Sequence, residues 1–193
     1  MRDVSSVLQH AVGESAAALR SLGELDQQLR IAVDLIEECL ASGRKLLVCG
    51  NGGSAADAAH FATELVVRFS GERRGYPAIS LTSDAGLLSA AGNDYGFAEV
   101  FARQVAAFGL SGDLLICLTT SGNSPNVQRA LAVAKELGLK SIAFLGRDGG
   151  ETKGMADVEL VVRSDVTARI QEMHMLLLHV ICEALDSRWI PAK

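Results

Sequence analysis

The stretch LLVCGNGGSAADAAHFATEL, residues 46–65, decides how this chain is read. It opens as a short apolar run, breaks at a glycine-rich turn, and continues as a helical pattern carrying His60 and Glu64 four residues apart. An apolar run this short, bounded by glycine, suits a strand buried on both faces of a parallel sheet better than a helix. Three further runs resemble it, PAISL (77–81), DLLICLT (113–119) and SIAFLG (141–146), and VELVV (158–162) precedes a long helical segment at 165–188. Strands alternating with helices predict an α/β chain, a three-layer αβα sandwich around a mainly parallel five-stranded sheet. Ahead of the sheet, residues 1–43 read as a pair of helices broken near Gly23. The second spaces Leu29, Val33, Ile36 and Leu40 at helical intervals and ends at Gly43, a good C-terminal signal. With no linker or low-complexity tract, the 193 residues are expected to form a single domain, 1–193, whose Ala- and Leu-rich N-terminal helix pair (1–43) is of a kind able to pack on a neighbour.

Composition narrows the function classes. Hydrophobic residues make up 49% and aromatics only 5%, so the core must rest on Ala, Leu, Val and Ile. A formal charge of −5 argues against a large nucleic-acid footprint. No apolar run approaches the roughly 20 residues that a membrane helix needs, and the first residues carry no signal-peptide pattern. The four cysteines, Cys39, Cys49, Cys117 and Cys182, lie scattered in apolar segments without C-x-x-C spacing. They are expected to be free thiols of a cytoplasmic protein.

In open parallel sheets, ligands bind beyond the carboxyl ends of the strands, where helix N-termini offer free N–H groups. Two loops qualify, CGNGGSAAD after the first strand and TTSGNSPN after DLLICLT. Gly50-x-Gly52-x-x-Ala55 is a weak dinucleotide fingerprint, and Asp84 falls too far along to serve as its acidic partner. Neither loop carries the Gly-Lys-Ser/Thr of a P-loop. The second loop is more telling. Thr119, Thr120, Ser121 and Ser124 set hydroxyls around Gly122, a composition that holds a phosphate dianion without lysine. A helix cap at Ser124 is the plainer use of one of them. His60 and Glu64 share a helix face, and Gln171, Met175 and His179 form an i, i+4, i+8 row on the last helix, with His174 directed elsewhere. An i,i+4 His–Glu pair is often only a surface hydrogen bond, yet this one follows a phosphate-type loop. Its nitrogen and oxygen donors suit a zinc-like ion or general acid–base chemistry.

Taken together, GNGGSAADAAHFATEL, AAGNDYGF, TTSGNSPN and ARIQEMHMLLLH resemble the single-domain sugar isomerase (SIS) proteins, in matching order over nearly the whole chain. Within them the likeness is greatest to the branch that converts sedoheptulose 7-phosphate to D-glycero-D-manno-heptose 7-phosphate, at the start of nucleotide-activated heptose synthesis. The resemblance implies that Asn51, Gly52, Gly53 and Ser54 line the substrate site. It further implies that Asn93 and Asp94 meet sugar hydroxyls, that Thr119, Thr120, Ser121 and Ser124 hold the phosphate, and that Arg68 and Gln171 lie close to the substrate. His60, Glu64, Gln171 and His179 match the zinc positions, and Glu64 and His179 the base and acid. A homotetramer with sites completed by neighbouring subunits is implied, the two helices then meeting across chains. One departure is that some members carry Asp where this chain has Ala168, leaving Asp165 as a substitute. ARIQEMHML also resembles non-enzymatic siblings that bind the bacterial replication initiator, and a sugar-phosphate sensor would use the same loops. His179 favours the enzymes.

Overall fold

A computed structural model describes residues 3–189. Helix α1 (Val4–Ser21) is capped by Asp3, whose side chain accepts from Ser6 N, and is followed by a 3-10 turn at Leu22–Leu25 where the sequence places its break. Helix α2 (Asp26–Ala41) ends before Gly43, which adopts the left-handed backbone (φ 71°) that glycine tolerates. The chain continues through β1 (Leu46–Gly50), α3 (Gly53–Val66), β2 (Ala78–Ser80), α4 (Ala85–Tyr95) and α5 (Val100–Phe108). It closes with β3 (Leu114–Thr119), α6 (Pro125–Glu136), β4 (Lys140–Gly146), β5 (Val158–Val162) and α7 (Thr167–Trp189). Every pairing in the five-stranded sheet is parallel, in the order β2-β1-β3-β4-β5.

Alternate strand residues face opposite layers. Leu46 and Val48 of β1 join Ile116 and Phe144 in a core closed by α2, α3 and α7. Leu47 and Cys49 face the other way, into a core with Phe101 and Val105 of α5 and Val127 and Leu131 of α6. The three-layer expectation is met. The helical pair divides its labour: α2 buries Ala32, Val33, Ile36, Cys39 and Leu40 against its own sheet, while α1 leaves Leu8 and Val12 about 60% exposed. All four cysteines are buried and free, consistent with small apolar core residues. Among the described residues no helix is long and apolar enough to cross a membrane.

The layer assignment locates the ligand position. The helix after β1 packs on one face and the helix after β3 on the other, although the two strands are neighbours. Their carboxyl ends therefore diverge at the one kind of place where an open sheet leaves a crevice. Both loops singled out in the sequence start there.

Candidate active site

The two loops are joined side by side. Asn51 Nδ2 donates to Asn126 Oδ1 at 2.9 Å, and Asn126 Nδ2 donates back to Asn51 Oδ1 at 2.8 Å. Gly52 (φ 55°) turns the first loop into α3, which starts without a side-chain cap and so leaves its first N–H groups to the crevice. Gly50 has no room for a side chain, since a Cβ there would stand 2.7 Å from the Ser54 carbonyl oxygen. Ser54 itself is buried. At Gly53 a side chain would displace the Gln171 amide, which lies directly on it.

In the second loop Thr119 Oγ1 lies 3.0 Å from Ser124 Oγ and 3.4 Å from Ser121 Oγ, and accepts from Gly122 N at 3.2 Å. Ser124 occupies the N-cap position of α6 but its hydroxyl makes no capping bond, so the cap expected of it is absent. It turns instead to Thr119. Gly122 (φ 68°) is pressed against the turn after β4, where Thr152 N and Oγ1 both donate to its carbonyl and Glu151 N donates to Asn123 Oδ1 at 2.8 Å. Thr120 passes its carbonyl under Gly146. The loop thus gathers hydroxyls and a free helix start on a rigid backing, with no cation of its own.

Helices α3 and α7 run side by side, bringing His60, Glu64 and His179 together within one chain. His60 Nε2 lies 3.0 Å from His179 Nε2 and 3.3 Å from Glu64 Oε1, and Phe69 stacks at a tilt on the His179 ring. The sequence reading had these helices meeting across chains; packing on the shared core brings them together without a second copy. Of the four implied zinc positions the structure unites three. Gln171, two turns before His179, donates its amide to Asp57 Oδ1 at 3.3 Å over the glycine loop. The three-membered set fits a zinc ion in its donor chemistry. Ligand atoms of a tetrahedral zinc with bonds of about 2.0–2.1 Å stand roughly 3.3 Å apart, and at His60 Nε2 a single hydrogen cannot serve both neighbours. The rings are nevertheless posed toward each other, and among the described residues no three His, Cys, Asp or Glu side chains are already arranged about one point as ligands.

The remaining implied residues lie outside this cluster. Arg68 follows the end of α3 and donates to the Ser70 carbonyl at 3.0 Å. Asn93 and Asp94 sit exposed on α4, in the opposite layer, bonded to each other at 2.8 Å. Asp165 does not take the place of an acid at 168. It borders a cleft of about 670 Å³ rimmed by mixed charges including Asp148, Arg147, Lys153 and Arg163. Ala168 lines a different cavity, about 450 Å³, shared with Asp57, Gln171, Glu172 and Met175. Cleft size is a poor guide here, since the larger one borders neither loop residue nor the histidines.

Three residues that the sequence reading passed over shape the site. Asp57 is 4% exposed, its carboxyl raised by burial against the opposing effect of Gln171 and His60, and its Oδ2 lacks a partner. Asn126 is the buried half of the loop bridge. Arg73 caps α3 by donating to the Glu64 and Leu65 carbonyls at 2.7 and 2.9 Å and pairs with Asp186 of α7 at 2.9 Å. Burial alone would raise the Asp186 carboxyl, but Arg73 with the N–H groups of Ser70 and Gly71 holds it below the ordinary range. This clamp fixes α3 to α7 near Glu64.

An αβα domain with a hydroxyl-rich loop at its switch point and a histidine–glutamate cluster between α3 and α7 has the make-up of the SIS type, and the SIS domain family model matches residues 12–146. Among curated relatives, the phosphoheptose isomerase of Helicobacter pylori strain P12 is 51% identical over 170 residues, 88% of each chain. That of Aliarcobacter butzleri is 48% identical over 95% of this chain and 97% of its own. The structure of phosphoheptose isomerase from Neisseria gonorrhoeae superposes with a TM-score of 0.91 at 42% identity, covering 96% of this chain and all of that one. The chain belongs to the phosphoheptose isomerase family and is an isomerase.

Proposed function

We propose that the chain interconverts sedoheptulose 7-phosphate and D-glycero-D-manno-heptose 7-phosphate in the cytoplasm, as a zinc-dependent homotetramer that opens the route to nucleotide-activated heptoses. The observation that carries this reading is the meeting of His60, Glu64 and His179, at 3.0 and 3.3 Å, where α3 and α7 pack together, in a chain that also carries the hydroxyl-rich Thr119–Ser124 loop. A sensor or an initiator-binding protein needs the loop but not the cluster.

The substrate phosphate is held by the hydroxyls of Thr119, Thr120, Ser121 and Ser124 and the open start of α6, which orients the chain of the sugar toward α3 and α7. Glu64 takes the proton from C1 of the ketose and delivers it to C2, through a cis-enediol. His179 gives a proton to the C2 oxygen and collects one from the C1 oxygen, so the exchange balances. His60, Glu64 and His179 would hold the zinc, with the Gln171 oxygen as the candidate fourth ligand, and the bound ion would supply positive charge for the oxygens of the enediol. Asn51, Gly52, Gly53 and Ser54 form the floor, while Arg68 closes the α3 end. Asn93 and Asp94, standing away from their own loops, are offered to a neighbour's site. The outward apolar stripe of α1 supports association.

Purified protein incubated with sedoheptulose 7-phosphate tests the reading directly. Aldoheptose phosphate should form, and a zinc chelator should slow its formation in a way that added zinc reverses. No conversion by an intact, zinc-supplied oligomer would overturn the assignment.

A further inference from the structure

We propose that Asp57 is a positioning residue acting through Gln171, turning the amide so that its oxygen rather than its nitrogen faces the site. The inference rests on the sugar-phosphate reading for one of its two measurements only. An amide has two ends with opposite chemistry, and only the oxygen can accept from a sugar hydroxyl or ligate a cation. Nothing intrinsic to glutamine selects the end.

Here the selection is made by a carboxylate, which only accepts. Asp57 sits on α3, 4% exposed, and its Oδ1 receives Gln171 Nε2 at 3.3 Å. The amide rests against Gly53, where a Cβ would collide with it. With nitrogen committed to Asp57, the Gln171 oxygen has no hydrogen-bond partner among the described residues. The two residues border the same cavity, about 450 Å³, together with Ala168, Glu172 and Met175. The small side chain of Ala168 leaves Asp57 as the acid deepest in that wall. Supporting residues of this kind commonly change ligand affinity ten- to a hundredfold when altered.

Asp57→Asn gives Gln171 a neighbour that can donate, so the amide is free to reverse. The double variant Asp57→Asn with Gln171→Glu exchanges amide and carboxylate: the new amide donates to one carboxylate oxygen and the other necessarily faces the site. Two measurements separate the possible recipients of the Gln171 oxygen. Zinc affinity is read with the metal alone, by competition against a chromophoric chelator. KM for sedoheptulose 7-phosphate is read beside the inhibition constant of inorganic phosphate, which reports the Thr119–Ser124 loop. Asp57→Asn should weaken zinc binding or raise KM about tenfold, leave phosphate inhibition unchanged, and be reversed by the double variant. A shift in zinc affinity assigns the oxygen to the ion, and a shift in KM alone assigns it to a sugar hydroxyl. If Asp57→Asn lowers the unfolding temperature while zinc affinity and KM both hold, the residue is merely structural and the inference is wrong. Absent turnover in the unsubstituted protein with an altered zinc affinity in Asp57→Asn would sink the sugar reading and leave the role of Asp57 standing.

Discussion

Replacing Gly122 with alanine puts the backing of the phosphate-type loop to the test. Gly122 has φ of 68°, and a Cβ there would collide with the Gly149 carbonyl and stand 2.8 Å from Gly150 N. Two costs combine. Holding an alanine in the left-handed region costs about 1–2 kcal/mol, and forcing a methyl into packed backbone costs about 1–3 kcal/mol. Gly43 provides the internal control, because it has nearly the same φ, 71°, with nothing within 4 Å of its virtual Cβ. Gly43→Ala should carry only the first cost. Denaturant unfolding of both variants at equal protein concentration should therefore differ by about 1–3 kcal/mol, several degrees in unfolding temperature for a chain this size. The collision also pries the loop from Thr152, so KM for the sugar phosphate should rise in Gly122→Ala and not in Gly43→Ala. Equal stability of the two variants would refute the claim that the turn after β4 is a rigid buttress. Arg147, which holds φ of 60° without being glycine, shows that the backbone angle by itself is affordable in this fold.

Other consequences are open to simpler assays. Glu64→Gln should keep the fold and phosphate binding while lowering turnover about 10²–10⁴-fold; near-normal kcat would remove Glu64 as the base. Arg73→Ala strands Asp186 among Ser70 and Gly71 without its cation and should cost about 3–5 kcal/mol, whereas Arg30→Ala at the fully exposed pair with Asp26 should leave stability nearly unchanged. His174 is buried neutral, its pKa lowered by burial to about 4, and Nε2 donates to the Leu145 carbonyl at 3.1 Å. Because the unfolded imidazole takes up its proton near pH 6.5 and the folded one only near 4, its contribution is full above pH 6.5 and lost as pH falls toward 4, by about 3 kcal/mol. Asp57, raised, works in the opposite sense, so the test is the difference between the native chain and His174→Gln, which should lose the slope in that window. Parallel pH–stability curves for the two would contradict it.

Much of the fold was legible because its signals are local. Each strand is a short apolar run closed by glycine or a turn, and the structure moves none of the five by more than a residue or so. Helices α4 and α5 were not foreseen individually. AGLLSAAGNDY has glycine inside it and weak patterning, and it becomes a helix through Asp84, which accepts from Leu87 N at 2.9 Å. The site was legible wherever chemistry is crowded into one segment, as in TTSGNSPN. It was opaque wherever a single residue acquires its meaning from another part of the chain. Asp57 reads as a spacer among alanines until Gln171 arrives, and nothing near Arg73 announces Asp186. The row of Gln171, Met175 and His179 was correctly placed on one face, but periodicity does not say that two turns of separation would leave Gln171 with a different partner.

The paired amides of Asn51 and Asn126 give the enzyme a shelf life. Asn51 precedes Gly52, and a glycine nitrogen, unshielded by any Cβ, is the backbone group best able to attack the preceding side chain and expel its ammonia. While the bridge stands, both ends of the Asn51 amide are occupied at 2.8 and 2.9 Å, and the loop is held in place. Once Asn51 has become an acid it can no longer donate, and Asn126 Oδ1 keeps only its bond to Val127 N at 3.0 Å. The seam between β1 and β3 then keeps only the bond from Asn126 Nδ2 to the new carboxylate, and old preparations should divide into a more acidic fraction with a loosened loop bridge and an intact one.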